Sequence, residues 1–367
     1  MKKLIFTLAF IISFLGIYAQ DADFISTANS IKIVALYSNT LNQINKIEAK
    51  EEKVIQIDKS ITQEDFDKIC AKLKWIKKLS FDYDNPFITN IMSLQNLTSL
   101  ELLKMRNISS SEKQAIDLSP LAKLTLLKEI DFLGTAVTNT DAFNSLINLE
   151  KINFTDSKIA SIQFLSNTPL VKELILAGNN HTFPNYEPIQ NLKKLRVLDI
   201  QKNSQATDRN VAVLQNLQEL RELDISDCKG ITQLQFIEQC TKLVEFSAAN
   251  CTNIVNYSAL QNLILLKKIN LSGSSVTDIS FVSNKSDLKD LQISKTAISD
   301  ITSLNMCASI ERLDISYTQV TDITTISRLW KLKRLNIAHT KIASLDALGA
   351  NFELTDLDAS FTQVSDL

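Results

Sequence analysis

Read only as apolar and polar positions, residues 266–367 repeat one pattern almost five times. A short apolar-x-apolar core, Leu313-Asp314-Ile315 for example, is followed by small polar residues. Apolar positions then recur every three residues, as at Val320, Ile323, Ile326, Leu329 and Leu332. With the first apolar residue of each core taken as a marker, Ile269, Leu291, Leu313, Leu335 and Leu357 stand 22 residues apart. A fixed period of this size marks a solenoid, in which each coil covers its neighbour's apolar face and none folds alone. Upstream, the marker continues through Phe246, Leu223, Leu198, Leu174, Ile152, Ile130, Leu103, Leu79 and Ile55 in steps of 22 to 27. Fourteen coils are expected, uneven in the first two-thirds of the chain and strict at the end.

Within each coil the core alternates inward and outward side chains, which is the pattern of a short strand. Strands repeated in one direction are parallel, and fourteen of them stacked about 4.8 Å apart make a sheet about 60 Å long. A 22-residue coil leaves no room for a full crossover helix, so extended segments and 3₁₀ turns are expected on the far side. Residues 205–217, with Val211, Leu214 and Leu217 after an Asp208 cap, are predicted as a short α-helix. Pro86, Pro120, Pro169, Pro184 and Pro188 all miss the assigned strands, where a missing N–H would break the ladder. Gly134, Gly178 and Gly273 share one column, four residues after the marker, where the chain turns out of the strand. Residues 20–53 do not carry the repeat. They are expected to form an N-terminal cap over the open end of the stack, with 31–35 and 39–53 as its strand or helix.

These residues resemble the leucine-rich repeat family, in the 22-residue bacterial class of internalin-type proteins. The match is clearest at Leu192-x-x-Leu195-x-x-Leu198-x-Ile200-x-x-Asn203 and in the form Thr/Ser-x-Val/Ile-Thr/Ser-Asp-Ile/Leu over residues 318–323. The resemblance covers residues 54–367, the expected repeat domain. It implies an α/β solenoid, right-handed and curved, with a concave parallel β-sheet and a convex side of extended and 3₁₀ segments. It also implies binding of other proteins on the concave face. The family's buried asparagine column is Asn only at Asn179 and Asn203. Elsewhere it holds Thr135, Ser157, Cys228, Cys251, Ser274, Thr296, Thr318, Thr340 and Thr362, whose hydroxyls or thiols offer fewer hydrogen bonds than an amide. The internalin-type helical cap, following immunoglobulin-like domain and wall-sorting signal are not recognisable, so no host receptor is carried over.

The N-terminus changes the picture of location. Lys2 and Lys3, the apolar run 4–18 and the small Ala19 before Gln20-Asp21-Ala22-Asp23 read as a secretory signal peptide, cut after Ala19. The competing reading, a membrane anchor, asks for a longer run and a stop-transfer pattern. Export is expected, to a secreted, periplasmic or cell-surface location. Cutting removes Lys2 and Lys3 from 39 basic residues, leaving 37 against 41 acidic ones and a net charge of −4. A near-neutral balance with both signs interspersed points away from nucleic acid, which selects a basic stripe. At 45% hydrophobic residues there is ample core material.

Little in the chain suggests chemistry. Two histidines, His181 and His339, cannot build a ligand cluster, no CxxC pair supports a metal, and no spacing favours a triad, so neither cofactor nor enzymatic activity is expected. Cys228 and Cys251 share a column in adjacent coils and lie within bridging reach, yet all five cysteines occupy positions the repeat reserves for small or apolar residues. Buried free thiols are expected. Two files suggest binding. The outward residue between the strand leucines is Asp131, Asn153, Asp199, Asp224, Asn270, Asp314, Asn336 and Asp358, either a solvated sheet surface or a docking ladder for a cationic partner or a weak calcium site. Tyr317, His339 and Phe361, four after the marker on three consecutive coils, form an aromatic stripe, and Tyr83 is its equivalent near the other end. The stripe either packs on itself or is an interface hot spot. The ligand-binding candidates are Tyr317, His339, Phe361, Asp314, Asn336 and Asp358, for a protein ligand or, alternatively, a glycan. A third reading makes the chain the recognition arm of a larger enzyme, since it stops half-way through a coil without a cap, leaving Leu357 and Val364 uncovered.

Overall fold

The computed structural model describes residues 24–26, 30–33, 54–57, 60–81, 84–108, 115–179 and 185–365. The proposed signal peptide, most of the proposed cap, Tyr83, His181, Pro184 and Leu367 lie outside them.

Among the described residues, one sheet of sixteen strands runs the length of the molecule in nearly sequential order. Every marker pairs with the next: Ile55 with Leu79, Leu79 with Leu103, Leu103 with Ile130, and so on through Leu335 with Leu357. The register inferred from apolar spacing is therefore the observed one in all fourteen coils. The ladder extends one strand further back, because Ser30–Ile33 pairs parallel with Val54–Ile57 and places Ile31 opposite Ile55. Phe24–Ser26 then closes that end antiparallel to Ser30–Ile33, the one reversal in the sheet.

The marker and the residue two beyond it point inward, which is why the markers from Ile55 to Leu335 are buried. Across the coil, 3₁₀ segments such as Met92–Asn96, Ser258–Asn262 and Thr324–Arg328 form the opposite wall, as the short coil length requires. Their apolar residues at three-residue spacing, Val320, Ile323, Ile326, Leu329 and Leu332 among them, close the core against the strands. Pro120 and Pro188 stand second in two of these turns, Ser119–Lys123 and Glu187–Asn191, where the N–H has no partner within the turn. A second, two-stranded parallel sheet joins Ile116–Asp117 to Val137–Thr138.

Two local expectations need correction. The helix in residues 205–217 is a single turn, α2 (Asp208–Val211), running into the 3₁₀ segment Ala212–Asn216. Its cap is Thr207, whose N–H donates to Asn210 Oδ1 at 2.7 Å. Asp208 serves the next coil instead, accepting from Thr232 N–H at 2.8 Å and Thr232 Oγ1 at 2.5 Å. A longer helix, α1 (Gln63–Lys72), fills the first coil where extended chain was expected. Its signal was present in the sequence: Thr62 caps Asp65 N–H, Asp65 returns a bond from the Thr62 hydroxyl, and Phe66, Ile69 and Cys70 give the buried face.

Candidate functional site

The outward side chains of the sheet form vertical files, and the register decides which charges meet. In the first half of the stack opposite charges alternate from coil to coil. Lys128 reaches Glu101 at 2.6 Å, Lys172 reaches Glu150 at 2.6 Å, Lys151 reaches Glu173 at 2.6 Å and Lys104 reaches Glu129 at 2.8 Å. The lysine hydrogen bonds hold the Glu101 and Glu150 carboxyls below the usual range. In the middle the alternation fails: Asp199 stacks on Asp224, and Glu222 on Glu245. Burial first, then the like charge, pushes the Glu222 carboxyl up, and burial does the same at Asp224.

The Asp/Asn file has a local duty that its sequence position did not reveal. In each of its eight members a side-chain oxygen accepts the backbone N–H two residues on, from Asp131 with Leu133 to Asp358 with Ser360. These are Asx turns, which steer the chain out of the strand. At Asp314 and Asp358 the same oxygen also takes the following serine hydroxyl at 2.7 Å. The Ser360 hydroxyl and N–H, with a smaller contribution from His339, hold the Asp358 carboxyl below its usual range. Asp314, Asn336 and Asp358 face one another in register, with part of their hydrogen-bonding capacity already spent on the fold.

Four residues after the marker, the chain takes a left-handed residue in twelve consecutive coils. The file reads Asn107, Gly134, Asp156, Gly178, Lys202, Asp227, Asn250, Gly273, Lys295, Tyr317, His339 and Phe361, every φ between 51° and 71°. This explains the glycine column: a Cβ on Gly134 would stand 2.0 Å from Asn107 Oδ1 in the coil below. Glycine, asparagine and aspartate enter this conformation easily, whereas a bulky side chain is an outlier there, costing about 1–2 kcal/mol. The three aromatic residues nevertheless hold φ 56° each, and two of them are tied there by Tyr317 N–H to Ala338 O and His339 N–H to Ser360 O, both 2.9 Å.

Their rings stack face to face. Tyr317 and His339 have centroids 4.1 Å apart at 14°, and His339 and Phe361 4.3 Å apart at 16°. Lys295 Nζ covers the other face of Tyr317 at 5.7 Å. Tyr317 is 48% exposed and Phe361 77%. The structure thus brings all three predicted ring residues into one exposed column, beside the Asp314, Asn336 and Asp358 file.

The asparagine column also behaves as inferred, since its varied residues satisfy carbonyls near the turn. Asn179 Nδ2 donates to Leu176 O at 2.9 Å, Thr135 Oγ1 to Met105 O at 2.8 Å, and the Cys228 and Cys251 thiols to Ile200 O and Ile225 O at 3.1 Å. All five cysteines are buried and free. Burial pushes the Cys228 thiol up to about 12 and those of Cys240, Cys251 and Cys307 up to about 11, which makes them poor nucleophiles near neutral pH.

With this geometry in hand, comparison with known proteins is informative. An internalin from Listeria monocytogenes superposes with a TM-score of 0.67 at 24% identity, over 75% of this chain and 78% of its own. A leucine-rich repeat protein of Leptospira interrogans does so with a TM-score of 0.60 at 18% identity, over 93% of this chain and 95% of its own. The fold is that of an internalin-like leucine-rich repeat protein. No family model matches the sequence. A curated relative, the acidic leucine-rich nuclear phosphoprotein 32 family member A of Drosophila pseudoobscura pseudoobscura, is 30% identical over 81 residues, 22% of this chain, and the match spans 31% of that protein's length. Among more distant neighbours is Drosophila Toll in complex with Spatzle, with a TM-score of 0.55 at 14% identity over 94% of this chain and 56% of its own. No helix among the described residues is long and apolar enough to cross a membrane.

Proposed function

We propose that this is an exported, non-enzymatic leucine-rich repeat module that binds another protein through its concave sheet face and the aromatic end of the stack. The observation that carries the reading is the ring column. Three bulky residues sit in a left-handed conformation that the rest of the file gives to smaller, more polar or more flexible residues, and they are kept exposed rather than buried. Strain held at a surface is a pointer to use. Aromatic side chains are also the residues that most often anchor protein interfaces. A rigid, preformed surface avoids ordering entropy on binding. A structural neighbour solved as a protein complex, Toll with Spatzle, supports the general mode. Export rests on the signal-peptide features of residues 1–19.

The stacking also weighs protein against glycan. Sugar rings dock on open aromatic faces, but here both faces of His339 are covered by Tyr317 and Phe361. Phe361, the more exposed of the two end rings, is the place where a glycan would stack, which makes it the second reading. Affinity capture with the exported form, separately against surface proteins and a glycan array, tests both. Tyr317→Ala with Phe361→Ala should abolish capture of the protein partner while the fold, followed by circular dichroism, stays intact. Full retention of capture by the double variant overturns the reading.

A further inference from the structure

Where charges meet in the front of the sheet a cation in one coil faces a carboxylate in the next, but near the C-terminal end two cations face each other. Arg312 lies directly opposite Arg334 in the register of their strands, where like charges repel. Each arginine turns away from the other. Arg312 reaches back to Asp290 at 3.6 Å and Arg334 forward to Asp356 at 3.5 Å, well beyond the 2.6 Å of the Lys151–Glu173 and Lys268–Glu245 pairs. Both acids are shared, Asp290 with Gln292 Nε2 at 3.2 Å and Asp356 with Thr355 Oγ1 at 2.9 Å. A guanidinium carries five N–H donors in a rigid fork, so one long contact leaves most of each fork turned to solvent. The two side chains are 45% and 60% exposed. Both line a cleft of about 480 Å³ that Asp314, Asn336 and Asp358 also line.

We propose that Arg312 and Arg334 clamp one carboxylate, that of an acidic side chain in an otherwise apolar segment of the protein partner; this rests on the protein-binding reading above. Two arginines on adjacent strands, whose Cα atoms stand opposite each other, can both swing their guanidiniums onto the two oxygens of one carboxylate, and such charge-assisted pairs are the strong, oriented ones. The surroundings select the ligand class. Asp290, Asp314, Asp356 and Asp358 stand around the arginine pair. A polyanion charged at every unit, whether nucleic acid or sulfated glycan, brings charge after charge against these aspartates, whereas a segment with a single carboxylate and neutral neighbours brings one, which the two arginines can hold. The apolar neighbours find their contact in the ring column, which follows Arg312 and Arg334 by five residues in each coil at Tyr317 and His339.

A displayed library of random heptapeptides, selected against the full chain, tests the clamp. The expected winners carry a single Asp or Glu beside apolar residues. A synthetic winner should lose roughly tenfold to a hundredfold in affinity when Arg312→Gln and Arg334→Gln are combined. It should lose as much when its own acid becomes an amide, and nothing further when both changes are made. Urea unfolding of the arginine double variant, with a midpoint at or above that of the parent, shows that the fold is kept. Winners without an acid, or winners indifferent to the double variant, overturn the clamp and leave the protein-binding reading standing. A library that yields no winner removes that reading and the clamp together. Arginine-dependent binding of a heparin hexasaccharide overturns the single-carboxylate ligand in favour of a sulfated glycan.

Discussion

The uneven front coils and the strict 22-residue coils at the back carry their aromatic residues in opposite places. In the front, Phe132, Phe143, Phe154 and Phe164 are buried and packed on one another, with centroids 5.2 to 6.3 Å apart. In the back, Ile293, Ile315 and Ile337 take the strand position of Phe132 and Phe154, Phe281 stays in the core at the position of Phe164, and the Tyr317–His339–Phe361 rings stand outside. The two regions also tie their coils differently. Thr135, Ser157, Asn179, Asn203, Cys228 and Cys251 each donate to a carbonyl of the preceding coil. Thr296, Thr318, Thr340 and Thr362 bond instead within their own coil, to Ile293, Ile315, Ile337 and Ala359. The same architecture thus carries two uses of a ring: buried, it holds coils together; exposed on a regular stack that stands on its backbone ladder, it is free to meet a partner.

The sharpest way to break this contrast is to delete one ring in each region. Phe154→Ala should destabilise the fold by about 3–5 kcal/mol through lost burial and a cavity. Phe361→Ala should change stability by less than about 1 kcal/mol and act on capture instead. Urea unfolding of the pair measures it, and equal losses would erase the distinction. Next in size is the tie between coils. Asn179→Ala removes an amide that donates to three carbonyls and accepts from Ile159 N–H, for about 2–3 kcal/mol, whereas Thr318→Val removes one bond for about 1 kcal/mol. Hydrogen exchange at the flanking amides should show the same order.

The smallest effect has the opposite sign. Lys285 stands in the back at a position that leucine fills at Leu263 and Leu329, and its ammonium is buried with bonds to Gln261 O at 3.3 Å and Asn284 Oδ1 at 3.1 Å. Burial pushes its pKa down to about 8 from 10.5. The unfolded chain therefore holds this proton more tightly, and the penalty is complete below about pH 8 and relieved as pH rises towards 10.5. Lys285→Met should stabilise the fold at neutral pH by about 1–2 kcal/mol and abolish that alkaline gain. Thermal unfolding at pH 7 and pH 10 checks both, and a destabilised variant at pH 7 would show that the ammonium is a net support.

Much of the site was legible in advance because the repeat converts sequence distance into spatial stacking. Tyr317, His339 and Phe361 were placed in one file by arithmetic alone, and they are in one file. Their positive φ was also foreshadowed, since three glycines share their column. The Asx role of Asp314 and Asp358 was missed because an outward polar residue in a strand was read only as a surface group, although Asx turns have a known preference for this residue type. Arg312 and Arg334 were not foreseen for a different reason: they stand before the marker, in a file of mixed charges and apolar residues whose neighbours follow only from the strand register. The α1 helix was overlooked although Thr62 and Asp65 announce a cap.

What the sequence determined by itself is the register. A period of two within the strand and of 22 to 27 between strands leaves one alignment that buries the markers from Ile55 to Leu335, and a slip of one residue would expose them. What only the tertiary structure decided is how neighbours across that register spend their atoms: which oxygen turns the chain, which ring covers which, and which charges meet their own kind. Those outcomes depend on side-chain directions and on distances of a few ångströms between coils, and a linear pattern of apolar and polar positions carries neither.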